Sequence, residues 1–169
     1  MSHAPARYDF RDKDADYARL ERELAALLAG ERDLIANAAN TAALLFAALP
    51  EVNWAGFYFL KGGELVVGPF QGQPACVRLA LGSGVCGTAA ARRRTIVVPD
   101  VREFPGHVAC DAASRSEIVV PLISGDRLLG VLDLDSPRTS RFDAADARGL
   151  ESLARRFVAA TAALGADPQ

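Results

Sequence analysis

The stretch 117–135 constrains this chain more than any other. Two apolar runs, 117–123 and 127–135, flank Gly125-Asp126, the pattern of a β-hairpin. Side chains alternate along a strand. Leu129, Val131, Asp133 and Asp135 are therefore expected on one face, and Leu128, Gly130, Leu132 and Leu134 on the other. Both faces stay apolar until two acids enter one of them. At strand spacing those carboxylates stand about 7 Å apart. Their repulsion is roughly 2–3 kcal/mol at an effective dielectric near 20. Such a pair titrates as a unit and suits a cation-binding acid beside a proton donor. A strand end fraying into solvent accounts for the two acids equally well.

Glu117 opens the partner strand, and turn geometry decides whether it joins the pair. A regular two-residue turn puts Glu117 opposite Leu134, on the wrong face. A three-residue loop, 124–126, puts it opposite Asp133. A cluster of three acids thus requires an odd loop or a bulge in this hairpin.

The rest of the chain supplies the other parts of one domain. Asp12 and Asp14 can cap a helix with apolar positions Tyr17, Leu20, Leu24, Leu27 and Leu28, broken at Gly30. A second helix is expected over about 33–48, stopped by Pro50. Strands follow at 53–60, 64–70, 76–80 and 95–98, with an Ala-rich helix before Arg92-Arg93-Arg94, whose charges suit a solvated helix end. The segment 100–116 is a long connection, and a capped helix closes the chain over about 143–164. The expectation is α+β: a six-stranded, mostly antiparallel sheet with packed N- and C-terminal helices, 1–169 forming a single domain. Nineteen basic against 21 acidic residues leave a net charge of -2, which gives nucleic acid no electrostatic hold. No run is long enough for a membrane span, the first ten residues lack a signal-peptide core, and the default compartment is the cytoplasm.

Three cysteines are odd in number and too few for a disulfide-stapled secreted fold. Cys76, Cys86 and Cys110 form no paired metal knuckle. Zinc on the three cysteines plus His107 is a weak signal, and no metal or cofactor is assigned. Cys86 reads as a small buried hydrophobe. Cys76 and Cys110 lie in or beside loops, and a nucleophile on one loop with a resolving thiol on another makes a redox cycle. Trp54 and Tyr58 share a strand face, as core packing or as the aromatic wall of a pocket. His107 reads as a loop hydrogen-bonder.

Six strings in order carry a resemblance: Asn53-Trp54-Ala55-Gly56-Phe57-Tyr58, 68–76, Gly84-Val85-Cys86-Gly87-Thr88-Ala89, Val98-Pro99-Asp100-Val101, 104–119 and 130–137. They resemble the free methionine-R-sulfoxide reductases, a catalytic branch of the GAF-domain fold, over a motif core of 53–137 with flanking helices at about 14–48 and 143–164. The resemblance implies reduction of free L-methionine-(R)-sulfoxide, with Cys110 as nucleophile and Cys76 as resolving thiol. It makes Cys86 an alternative resolving or relay thiol. It implies Glu117, Asp133 and Asp135 as pocket acids, Glu117 or Asp135 as proton donor, and Trp54 and Tyr58 as the aromatic wall. Its implied partner is thioredoxin, as reductant of the disulfide, and a homodimer is a further expectation. The alternative is a non-catalytic GAF module that senses a small molecule.

Overall fold

The computed structural model describes residues 8–106 and 112–161. Four helices, α1 (Lys13–Leu27), α2 (Leu34–Ala48), α3 (Gly84–Arg92) and α4 (Ala144–Ala160), surround six strands. These are β1 (Trp54–Lys61), β2 (Glu64–Gly72), β3 (Arg78–Ala80), β4 (Ile96–Val98), β5 (Ser116–Ser124) and β6 (Arg127–Ser136). They form one sheet in the order β3-β2-β1-β6-β5-β4, and every pairing is antiparallel. The expected α+β architecture is the observed one. No helix among the described residues is long and apolar enough to cross a membrane.

The helix starts follow from local chemistry. Asp12, Asp33 and Asp143 each accept a backbone N–H of the first turn of α1, α2 and α4. Such caps satisfy donors that the helix itself leaves orphaned. α4 ends at Ala160, short of the Leu164 expected from its apolar spacing. Thr161 leaves the helical region at ψ 91°, and its hydroxyl donates to the Phe157 carbonyl and accepts from Asn37 Nδ2. Leu164 itself lies outside the described residues.

The sheet carries a separate core on each face. α1, α2 and α4 pack on one face, where Leu20, Leu45, Leu150 and Phe157 meet Phe57, Ile118, Leu132 and Leu134. Phe157 stacks on Phe57 with ring centroids 4.6 Å apart. α3 covers the other face, where Val85, Cys86, Ala89 and Ala90 pack with Trp54, Tyr58, Val119 and Val131. β1, β5 and β6 are therefore apolar on both sides because both sides are covered.

The hairpin β5–β6 resolves the question of register. Its turn is a two-residue one, with Ser124 opposite Arg127. The register then shifts between Leu122 and Ile123, so that Leu122 faces Gly130 and Glu117 faces Asp135. The required irregularity is thus a bulge in β6, not the three-residue loop. It overturns one expectation: Leu129 and Val131 do not share a face. Leu129 packs in the core beneath α1, α2 and α4, Val131 in the core beneath α3, and Leu128 also packs beneath α3. Gly130 makes the bulge feasible, with φ +153° and no room for a side chain. A Cβ there would lie 2.1 Å from the Tyr58 carbonyl oxygen.

Candidate active site

Below the bulge the alternation holds, and it aims three acids at the face under α3. Asp133 pairs across the ladder with Gly56 of β1 and Val119 of β5. Asp135 lies between Trp54 and Glu117, and Glu117 is flanked on its other side by Val98. Glu117 and Asp133 are each 6% exposed, while Asp135 is partly exposed at the rim. The fraying-strand alternative fails for this reason: two of the acids are in the interior.

Burial governs their charge states. Glu117 is pushed well above the ordinary carboxyl range by desolvation, and the charges of Asp133 and Asp135 push it further. Asp133 is raised by burial to about 7, although neighbouring Cys86 and Glu117 favour its charged form. Two buried acids this close titrate as a pair, and both are shifted toward the protonated form. No donor among the described residues reaches the buried Oδ1 of Asp133.

Cys86 completes this group. Its thiol donates to Glu117 Oε1 at 3.8 Å, and its ligand atom, with those of Glu117 and Asp133, forms a set within 4.8 Å. Cys86 sits in the first turn of α3, where a helix N-terminus favours a thiolate. Burial and the charges of Asp133 and Glu117 outweigh that and push the thiol well above its ordinary range. The reading of Cys86 as a small buried residue holds for its burial and omits its neighbours. A signal for them was present: Val85, Cys86, Ala89 and Ala90 are spaced as one helical face, which must lie on the sheet.

The aromatic wall is larger than the sequence suggested. Trp54 stacks on Tyr58 at 5.9 Å between centroids and on Phe70 at 5.1 Å. Phe70 reaches this face because the β1–β2 register shifts between Gly56 and Tyr58. Gly56 leaves the necessary space, since a Cβ there would stand 2.3 Å from the Phe70 Cβ. Trp54 and Tyr58 also hold the loop that carries Cys76. Trp54 Nε1 donates to the Gln73 carbonyl and the Tyr58 hydroxyl to the Cys76 carbonyl, each at 3.1 Å. Cys76 is disulfide-bonded, and Cys86 is a free thiol. Cys110 and His107 lie outside the described residues. Both ends of the connection that bears them are pinned beside the acids. Val101 N–H donates to the Arg115 carbonyl, Arg115 N–H to the Ser136 carbonyl, and Asn53 Nδ2 to the Ser114 hydroxyl.

This face offers buried acids for a cation or a proton, an aromatic surface for an apolar group, the thiol of Cys86 and the loop that carries the disulfide-bonded Cys76. Comparison with known proteins points the same way. A family profile described as "GAF domain" matches residues 29–161. The free methionine-R-sulfoxide reductase of Escherichia coli (strain K12) is 52% identical over 142 residues, covering 84% of this chain and 86% of that protein. The free methionine-R-sulfoxide reductase of Saccharomyces cerevisiae is 45% identical over 134 residues, covering 75% and 74%. The X-ray structure of free methionine-R-sulfoxide reductase from Neisseria meningitidis in complex with its substrate superposes with a TM-score of 0.89 at 45% identity, covering 94% of this chain and 95% of that one.

Proposed function

The chain belongs to the GAF-domain family, in its free methionine-R-sulfoxide reductase branch, and on that premise we propose that it reduces free L-methionine-(R)-sulfoxide to L-methionine. The observation that carries this reading is the convergence of buried Glu117 and Asp133 on the face walled by Trp54 and Tyr58.

The substrate's ammonium pairs with Asp133 and Asp135, and its apolar end lies against Trp54. Cys110 attacks the sulfoxide sulfur as a thiolate, its own proton having passed to solvent. The sulfoxide oxygen needs a proton to depart, and Glu117 supplies it, a role that its raised pKa, from burial and like charges, supports. The oxygen transfers to Cys110 as a sulfenic acid, and two electrons pass to the substrate sulfur, which leaves as the thioether. Cys76 then attacks the sulfenic acid, an S–S bond forms and water leaves. Thioredoxin donates two electrons and two protons and restores both thiols. The disulfide-bonded state of Cys76 is one that this cycle passes through, and the protonated, buried thiol of Cys86 favours Cys76 as the resolving residue.

An acidic pocket disfavours the Cys110 thiolate until a cation arrives. The ammonium of the free amino acid therefore both binds and activates. A methionine inside a polypeptide has an amide at that position and does neither. The cycle needs a reducing compartment, which fits the cytoplasm.

The test is NADPH-coupled thioredoxin turnover with resolved R and S forms of free methionine sulfoxide. Turnover of the R form alone, abolished in Cys110→Ser, is expected. Three unchanged thiols after incubation with the R form would remove the reductase reading and leave a small-molecule-sensing module.

A further inference from the structure

The proposed cycle gives Cys86 no step of its own, and no donor among the described residues reaches the buried Oδ1 of Asp133. Cys86, Glu117 and Asp133 come from three different elements, α3, β5 and β6. Their ligand atoms nevertheless lie within 4.8 Å of one another, at 5%, 6% and 6% exposure. The geometry points to a binding site for a thiophilic divalent cation, with zinc as its type, held by the Cys86 sulfur and one oxygen each from Glu117 and Asp133.

Tetrahedral zinc with bonds of about 2.3 Å to sulfur and about 2.0–2.2 Å to oxygen separates its sulfur and oxygen ligands by roughly 3.5 Å. Cys86 Sγ and Glu117 Oε1 are already 3.8 Å apart. The ligand atoms lie within 4.8 Å of one another, so the widest separation shortens by about 1.3 Å at most to reach that spacing. The sulfur selects against magnesium and calcium, which require six or more oxygens. Three protein ligands leave the fourth position open to water, as in sites that exchange ligands. On binding, the Sγ–H proton and the proton held by the acid pair pass to solvent, and three anionic ligands around a dication leave a net charge of −1.

A cation seated there occupies the acids that the reductase reading gives to substrate and proton. Bound zinc is then an inhibitor that substrate displaces. This consequence rests on the proposed function, whereas binding itself does not.

The experiment uses the full chain carrying Cys76→Ser and Cys110→Ser, so that Cys86 is the remaining thiol, stripped with chelator and titrated with cobalt(II). The expected result is saturation at one equivalent, with thiolate-to-cobalt charge-transfer absorption in the near ultraviolet that zinc displaces. Adding Cys86→Ser should abolish that absorption. Adding Asp133→Asn should instead weaken cobalt binding more than tenfold while keeping the absorption at saturation. Thermal melting checks that each variant is folded. In the reduced wild-type chain, zinc should protect Cys86 from alkylation, as read by peptide mass mapping. No thiolate absorption in the two-serine chain, or absorption that survives Cys86→Ser, overturns the site. Cobalt binding that free methionine-R-sulfoxide does not displace leaves the metal site standing and overturns inhibition at the substrate acids.

Discussion

A carboxyl group buried without a cationic partner costs stability, because its charged form prefers water. Asp133 shows this clearly. Its pKa rises from an ordinary value near 4 to about 7 on folding, chiefly through desolvation. Below the unfolded value both states are protonated, and Asp133 costs nothing. Between the two values the unfolded chain ionises and the folded one does not, so stability falls as pH rises; above about 7 the loss is complete. Asp133→Asn, which removes the titrating group and keeps its size, should therefore raise the melting temperature at pH 8. The gain should shrink toward zero at pH 4, and turnover should drop at both. An unchanged melting temperature at pH 8 would show that Asp133 is solvated in the folded protein. The same reasoning explains what could be read at this scale. Alternation alone placed Asp133 and Asp135 together, because the strand is regular between them. The partnership of Cys86 was legible only in part: its helical face had to lie on the sheet, but which acids it meets depends on contacts with residues 31 and 47 positions away. Phe70 was missed because a register shift in β2 brings it to the Trp54 face.

At the scale of elements, the decisive feature is the β6 bulge. The existence of the six strands and four helices of the described residues could be read from hydrophobic rhythm, with capping acids at the start of the first and last helices. The register of β5 against β6 could not, because a two-residue turn at Gly125-Asp126 is locally sound and by itself puts Glu117 on the wrong face. Only the demand that the acids cluster called for a bulge, and Gly130 meets it. The 3₁₀ turn Val101–Glu103 in the long connection was also unforeseen; it is held by Asp100, which accepts the Arg102 N–H. Gly130→Ala should cost about 3 kcal/mol or more, because its Cβ would meet a β1 carbonyl that cannot rotate away. Urea unfolding would measure the loss. A near-neutral result would mean that the strands separate easily and that Gly130 does not set the register. The α1–α4 contact sets two smaller effects in competition. Gly149→Ala gains about 1 kcal/mol of helix propensity. Its Cβ would lie 2.1 Å from the Tyr17 ring, and overpacking costs about 1–3 kcal/mol. Tyr17 is 4% exposed and donates to Asp146, so it has little room to yield, and net destabilisation is expected in the same urea measurement.

For the molecule as a whole, the sheet divides labour between its faces. The face under α3 holds charge at a cost in stability. The face under α1, α2 and α4 holds charge that stabilises. Asp146, fully buried, accepts from Lys13 at 2.6 Å, from the Tyr17 hydroxyl at 2.9 Å and from Arg141 at 3.3 Å. It thereby ties the start of α1 to the start of α4 and closes the capping box with Asp143. Lys13 keeps Asp143 at 2.7 Å, but removing Asp146 leaves the nearly buried Arg141 guanidinium without its carboxylate, and breaking such a pair typically costs about 3–5 kcal/mol. For a chain of this length that corresponds to a fall in melting temperature of roughly 6–20 °C. Asp146→Ala should show that fall while its turnover, measured well below the transition, stays at the wild-type level. Asp133→Asn should show the reverse, a higher melting temperature at pH 8 and lower turnover. If Asp146→Ala loses turnover while still folded, the two faces are coupled through the strands, and the stability of the helical face is part of the site. If the variants behave oppositely, the sheet insulates a strained pocket from the scaffold that supports it. The separate cores on its two faces require the second outcome.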